Sequence, residues 1–205
     1  MQDRIIAKAH ELFMRYGFRS VSMDEIATQL GVSKKTIYQY FTDKDALVDS
    51  IIEMEIKGNE KICSVQKTEC KDAVHEIFLA LDHMGEMLEN MNPSLMYDLE
   101  RYHPAAFKKL RGHKNKFFYD VVKDNLERGK KEGLYREEIK NEIIAQFRLA
   151  STFLVFDGNV FPRDKYTILQ LMEEVTDNYL HGIVSVKGQK LIEKYKQQRN
   201  KILSV

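Results

Sequence analysis

The chain has no tryptophan, two cysteines, three prolines and ten glycines in 205 residues. Two cysteines cannot build a disulfide framework, which fits a reducing, cytoplasmic setting. Scarce breakers argue for long helices. They argue against a sandwich or barrel, which would need a turn signal every ~8–12 residues. Long apolar runs are missing too. The longest, about Leu149–Phe156, is interrupted by Ser151 and Thr152 and falls far short of the ~20 residues that span a bilayer. Asp3, Arg4, Lys8 and Glu11 break up the start, so no apolar signal-peptide core is expected there. Neither sign of charge dominates, with 32 basic against 31 acidic residues. Also absent are a Gly-x-Ser-x-Gly elbow, a P-loop, a dinucleotide glycine pattern and a second histidine after His10-Glu11 or His75-Glu76. No enzyme, no cofactor and no membrane partner is therefore expected.

What is present reads as helix almost throughout. Ile5, Ala9, Leu12, Phe13 and Tyr16 follow the spacing of one buried stripe, and Gly17 ends it. Ser22 with Glu25 three residues on predicts a capping box, followed by Ile26, Ala27 and Leu30 and a stop at Gly31. Ser33 caps a short helix from Lys34 to about Phe41, with Ile37, Tyr40 and Phe41 inward. Asp43 caps a fourth that weakens at Gly58-Asn59. Further helices are predicted over 72–90, 94–102, 104–132, 137–156, 165–181 and 185–203, with breaks at Asn92-Pro93, Gly133, Asp157-Gly158-Asn159 and Pro162. The expectation is an all-α chain of about ten helices.

Residues 22–41, SMDEIATQLGVSKKTIYQYF, carry the most information. Two short helices that cross steeply through a tight turn need a small residue where their backbones meet, and Ala27 supplies it. They need a residue that tolerates a left-handed turn, and Gly31 supplies that. Ile26, Leu30, Val32 and Ile37 face the shared core. With Ile37 inward, rotation by ~100° per residue turns Lys35, Thr36, Tyr38 and Gln39 outward. Lysine reads guanine acceptors, glutamine pairs with an adenine edge, and Thr or Tyr binds phosphate or base. Amides at the helix starts beside Ser22 and Ser33 are natural phosphate sites. The pattern is that of a DNA-binding helix-turn-helix. Its bland competitor is a helical hairpin with a solvated polar face.

Residues 4–48 resemble the N-terminal domain of the TetR (tetracycline-repressor-like) family of bacterial transcriptional regulators. The strongest matches are Ile26-Ala27, Leu30-Gly31-Val32-Ser33, Thr36-Ile37-Tyr38, Tyr40-Phe41 and Lys44. The resemblance implies a helix-turn-helix head over residues 1–45 and a helical effector-binding and dimerisation body over 46–205. It implies that Lys34, Lys35, Thr36 and Gln39 face base edges, and that Tyr38 and Tyr40 touch the sugar-phosphate backbone. Lys44 would clamp a phosphate, and Ser22 would cap its helix beside another. At Tyr40 the family often has histidine. Many relatives carry a longer basic arm where this chain has only Arg4 and Lys8. A ligand-responsive repressor, a homodimer on a palindromic double-stranded DNA operator, follows from the same resemblance.

A dimer is also expected on physical grounds. One short recognition helix makes too few contacts, and twofold doubling reads two half-sites about one helical turn apart. The family's interface is usually a four-helix bundle of two late helices per subunit, here 137–156 and 165–181, with Phe147, Leu154, Leu169 and Met172 as candidates. Methionines and aromatics suit an adaptable apolar cavity. Met84, Met87, Met91, Tyr97, Tyr102 and Phe107 are therefore candidate lining for a small apolar effector, although the same residues also fill ordinary cores. Glu100 with His103 and Asp72 with His75 have a spacing used by metal bundles, but only one is a proper Glu-x-x-His. A helical metal-bundle enzyme, or a scaffold that binds no DNA, is the alternative. Cys63 and Cys70 would lie ~10 Å apart along a helix, too far for a disulfide. The basic end, Lys187 to Lys201, reads as a solvated last helix.

Overall fold

A computed structural model describes residues 1–89, 91–92, 94–162 and 164–203. Asn90 and Pro93, placed above at a helix end and a break, lie outside the described residues. Among those described there are ten helices and no strand: α1 Gln2–Tyr16, α2 Met23–Leu30, α3 Lys34–Tyr38, α4 Lys44–Glu69, α5 Ala73–Glu89, α6 Leu95–Tyr102, α7 Pro104–Lys131, α8 Asn141–Leu154, α9 Ile168–Ile183 and α10 Val186–Leu203. The all-α fold is as the sequence predicts. Three local expectations are corrected. Gly58 does not interrupt α4, because a single glycine costs a helix only ~1 kcal/mol and the good helix formers Glu55, Lys57, Glu60 and Lys61 lie around it and Asn59. The helix 137–156 begins only at Asn141, since the residues before it turn. Tyr16 leaves the buried stripe and is exposed.

The chain divides into two compact units, Met1–Glu60 with Glu89–Lys114, and Lys61–Leu88 with Asn115–Val205. In the first, Ile5, Ala9, Leu12 and Phe13 of α1 meet Ile26, Ile37, Leu47, Val48 and Ile51, and Leu95, Leu99, Ala106 and Leu110 close the same core. Lys109 reaches across from α7 to Asp49 and Glu53 of α4. In the second unit, Ala73, Val74 and Phe78 of α5 pack with Leu126, Tyr135, Ala145, Tyr179, Leu180, Ile183 and Ile192. Leu81, Val155, Leu171 and Met172 form a smaller cluster there. Several buried polar groups in this unit pair with one another. The Tyr135 hydroxyl sits 3.0 Å from both the Ala73 carbonyl and Asn125 Oδ1, and Asn125 Nδ2 donates to Glu76 at 2.9 Å.

Cys63 and Cys70 are both free thiols. Cys70 is buried and accepts from Arg128 Nη1 at 2.6 Å. Burial pushes the Cys63 thiol up from its ordinary range. A capping box does occur elsewhere: Thr167 and Gln170 at the start of α9 satisfy each other's backbone amides. At Ser22 only half of the expected box is seen, the Glu25 amide donating to Ser22 Oγ at 3.1 Å.

Candidate nucleic-acid interface

The turn between α2 and α3 is set by two residues. Gly31 adopts φ 67° and ψ 31°, the left-handed region that penalises a side chain with a Cβ. From there Val32 N–H reaches back to the Ala27 carbonyl at 3.0 Å. Ala27, almost wholly buried, lets the two helices approach. Ser33 then opens α3. Its Oγ accepts the Thr36 amide at 3.1 Å and pairs with Thr36 Oγ1 at 2.8 Å. The helix proper spans five residues, shorter than the 34–41 expected. It ends early because the next turn tightens: Tyr40 and Phe41 amides both bond to the Ile37 carbonyl. Ile37, fully buried, and Phe41 pin the element to the core from one side. Tyr40, placed inward by periodicity, is exposed, as is Tyr38.

A fixed helix therefore presents a polar face. Lys34, Lys35 and Gln39 are exposed and Thr36 is half-buried. Lys35 and Gln39 carry no side-chain hydrogen bond or ion pair among the described residues, so none of those residues competes for them. Lys34 differs. Its Nζ lies 2.8 Å from Asp24 Oδ2 on α2, and that hydrogen bond holds its pKa above the ordinary lysine value. The same ammonium stands 5.9 Å from the centre of the Tyr38 ring. Ser22 is exposed at the start of α2.

Lys44 is placed otherwise than a surface clamp. It is half-buried, its ammonium donates to the Phe18 carbonyl, and it lies 5.5 Å from the centre of the Phe13 ring. Desolvation lowers its pKa. Its visible work is to hold the loop between α1 and α2. That loop is fastened a second time by Asn92 and Asp98, which carry no motif in the sequence. The Asn92 amide donates to the Met14 carbonyl at 2.7 Å, and Asp98 Oδ2 accepts the Arg19 amide at 3.2 Å. Gly17, at φ 82°, is required there twice over, since a Cβ would also stand 2.9 Å from Asp98 Oδ2. The sequence signal for this fastener is a carboxylate set in the apolar stripe of α6, beside Leu95 and Leu99.

The other candidate residues separate. Met84 and Met87 belong to the second unit, while Met91, Tyr97, Tyr102 and Phe107 belong to the first. Met84 packs on the Leu81–Met172 cluster, and Met91 and Phe107 pack on the first unit's core. Tyr97 and Tyr102 are exposed, with the Arg101 guanidinium over both rings. Phe147 is 59% exposed and Leu154 44%, and Ile143, one turn before Phe147, is 62% exposed. Leu169 is half-buried, whereas Met172 points into the core and is 1% exposed. Of the Glu-x-x-His and Asp-x-x-His pairs, His103 pairs with Asp45 in the first unit, while Asp72 and His75 lie in the second; among the described residues no group of three or more His, Cys, Asp or Glu could hold a metal ion.

Three comparisons bear on this geometry. Residues 5–51 match the family described as bacterial regulatory proteins, tetR family. An HTH-type transcriptional regulator of Bacillus subtilis (strain 168), YvaF, is 26% identical over 186 residues, covering 90% of this chain and 96% of the relative. Among solved structures, a TetR-family transcriptional regulator from Agrobacterium tumefaciens has a similar fold, with a TM-score of 0.73 at 16% identity over 90% of this chain and 97% of the other. The Bacillus subtilis regulator FadR in complex with stearoyl-CoA reaches 0.67 at 20% identity, over 89% and 100%.

Proposed function

We infer from membership of the TetR family of bacterial regulatory proteins, to which this chain belongs, that it is a ligand-responsive repressor acting as a homodimer on a palindromic operator. That it is a DNA-binding helix-turn-helix transcriptional regulator and not an enzyme is common ground with its relatives. The observation carrying the finer reading is the pair Lys35 and Gln39. They are exposed and unengaged on a helix that Ile37 and Ser33 hold in place. A rigid helix with uncommitted donors and acceptors suits base-edge readout in a major groove. Thr36 stands beside them, and Tyr38, Tyr40 and the amides following Ser22 and Ser33 suit the sugar-phosphate backbone. Lys44 would join them only by exchanging the Phe18 carbonyl for a phosphate. We assign DNA binding to residues 1–45 and effector binding with dimerisation to 46–205, and cytoplasmic residence with them.

The homodimer is supported by α8. Ile143, Phe147 and Leu154 repeat at i, i+4 and i+11, and a stripe of exposed apolar side chains on one helix face favours burial against a partner. No helix among the described residues is long and apolar enough to cross a membrane. The related FadR structure holds stearoyl-CoA, whose long acyl chain supports an effector with an apolar portion for this chain, with Met84 and Met87 as lining from the second unit.

Regulation follows as a two-state coupling. The effector favours one spacing of the two heads and the operator another, so each weakens the other's binding by the same factor. The Asp98–Arg19 and Lys44–Phe18 bonds tie α6 and α4 to the loop ahead of α2, a route by which a shift in either helix would tilt α2 and α3. A gel shift on the duplex flanking the protein's own coding region tests the reading. A dimer-sized complex on an inverted repeat, released by a ligand that co-purifies with the protein, is expected. Absence of any sequence-selective complex would refute it.

A further inference from the structure

The second unit holds a buried cation with no anion. Arg148 of α8 sends Nη2 to Thr176 Oγ1 of α9 at 2.9 Å, and its guanidinium lies 4.8 Å from the centre of the Tyr179 ring. The residue as a whole is only half-buried, but Nη1 is sealed from solvent and has no hydrogen-bond partner. The hydroxyl of Tyr179, a residue 5% exposed, is likewise sealed and unpaired. Two unmet donors thus belong to neighbouring residues of the interior, where an unpaired charge is unfavourable.

The acids of α8 and α9 do not answer them. Glu142 pairs with Lys123, Glu173 with Arg199, and Asp177 with Lys196 and His181, while Glu174 is exposed. The electrostatic neighbours of Arg148 are two tyrosines, Tyr179 and Tyr135, and no carboxylate; desolvation lowers its pKa. Nor does Arg148 share the outer face of α8. At ~100° per residue it stands roughly 100–140° around the helix from Ile143, Phe147 and Leu154, on the side that α9 covers through Thr176.

We propose that Arg148 Nη1 and the Tyr179 hydroxyl form the anion-binding end of the effector site, and that the effector is a monocarboxylate with an apolar body. One cation and one neutral O–H balance a single negative charge, which favours a carboxylate over a doubly charged phosphate. The two donors can each take one of its oxygens. Tyr179 belongs to an apolar cluster with Ala145, Leu180 and Ile183, so the rest of the molecule is apolar too. This deepens the effector reading above and rests on it.

Thermal unfolding of the full chain tests the proposal, with acetate, butyrate, octanoate and benzoate as probes and their primary amides as neutral controls. Acids are expected to raise the Tm by roughly 5–10 °C at a hundred times their measured Kd, and amides to have little effect. Arg148→Met is expected to abolish the acid-specific rise, and Tyr179→Phe to weaken acid affinity about tenfold. No rise with any of the four acids overturns the proposal, as does an equal rise with the amides. If Arg148→Met does not fold, Tyr179→Phe decides alone, and wild-type acid affinity in that variant overturns it. A gel shift on the same preparations separates the two readings. Wild-type protein that binds duplex but ignores every acid sinks only the carboxylate site. Protein that responds to acid but binds no duplex sinks only the regulator.

Discussion

Asp24→Asn should strengthen DNA binding. Lys34 stands beside Lys35 on α3, the helix proposed to enter the groove, yet its ammonium is held 2.8 Å from Asp24 Oδ2. The carboxylate both occupies the cation and places a negative charge where phosphates would come. Both partners are more than half exposed, so releasing the pair should leave folding stability nearly untouched. Binding is different, because each phosphate neutralised adds about 0.9 to the slope of log K against log salt. Two copies in a dimer would add about 1.8. Between 50 and 200 mM salt that corresponds to roughly a twelvefold greater loss of affinity than wild type shows. Fluorescence anisotropy of a labelled operator across a salt series reads the slope, and affinity at the lowest salt should exceed that of wild type. An unchanged slope would mean that Lys34 leaves Asp24 unaided, or never meets a phosphate, and would refute the reasoning.

Other substitutions probe the scaffold. Gly31→Ala forces a Cβ into the left-handed region but meets no neighbouring atom within 4 Å. About 1–2 kcal/mol of stability should be lost, with DNA sequence preference retained, as denaturant unfolding and a gel shift would report. Gly129→Ala places a Cβ 2.0 Å from the buried Tyr135 ring, so the loss should exceed about 3 kcal/mol, or expression of folded protein should fail. Phe147→Glu puts a charge in the apolar stripe of α8. Sedimentation should then show monomer, with operator affinity falling by 100-fold or more, on the order of 3 kcal/mol, while the circular dichroism spectrum is unchanged.

Much of this architecture could be read from residue order. The stripe in α1, the serine caps at Ser22 and Ser33 and the left-handed Gly31 are local events, written in four or five neighbouring residues each. What could not be read was decided by residues distant in sequence. Lys44 looks like a surface cation until the Phe18 carbonyl comes within its reach. Asp98 looks like an ordinary helix acid until the Arg19 amide, 79 positions away, is found on it. Met172 fits an apolar stripe equally well whether that stripe faces a partner or a core, and only packing against Leu81 and Val155 decides between them. Arg148 carried no local sign at all, since a single arginine in α8 says nothing about whether an acid lies opposite.

Selection from a pool of random duplexes, with wild-type protein and with Lys35→Ala and Gln39→Ala, tests the central claim most directly. The expected product is an inverted repeat with half-sites about one helical turn apart. Each variant should relax preference at its own symmetric pair of positions, by roughly 1–3 kcal/mol. Enrichment of no sequence, or identical motifs from all three proteins, would contradict it.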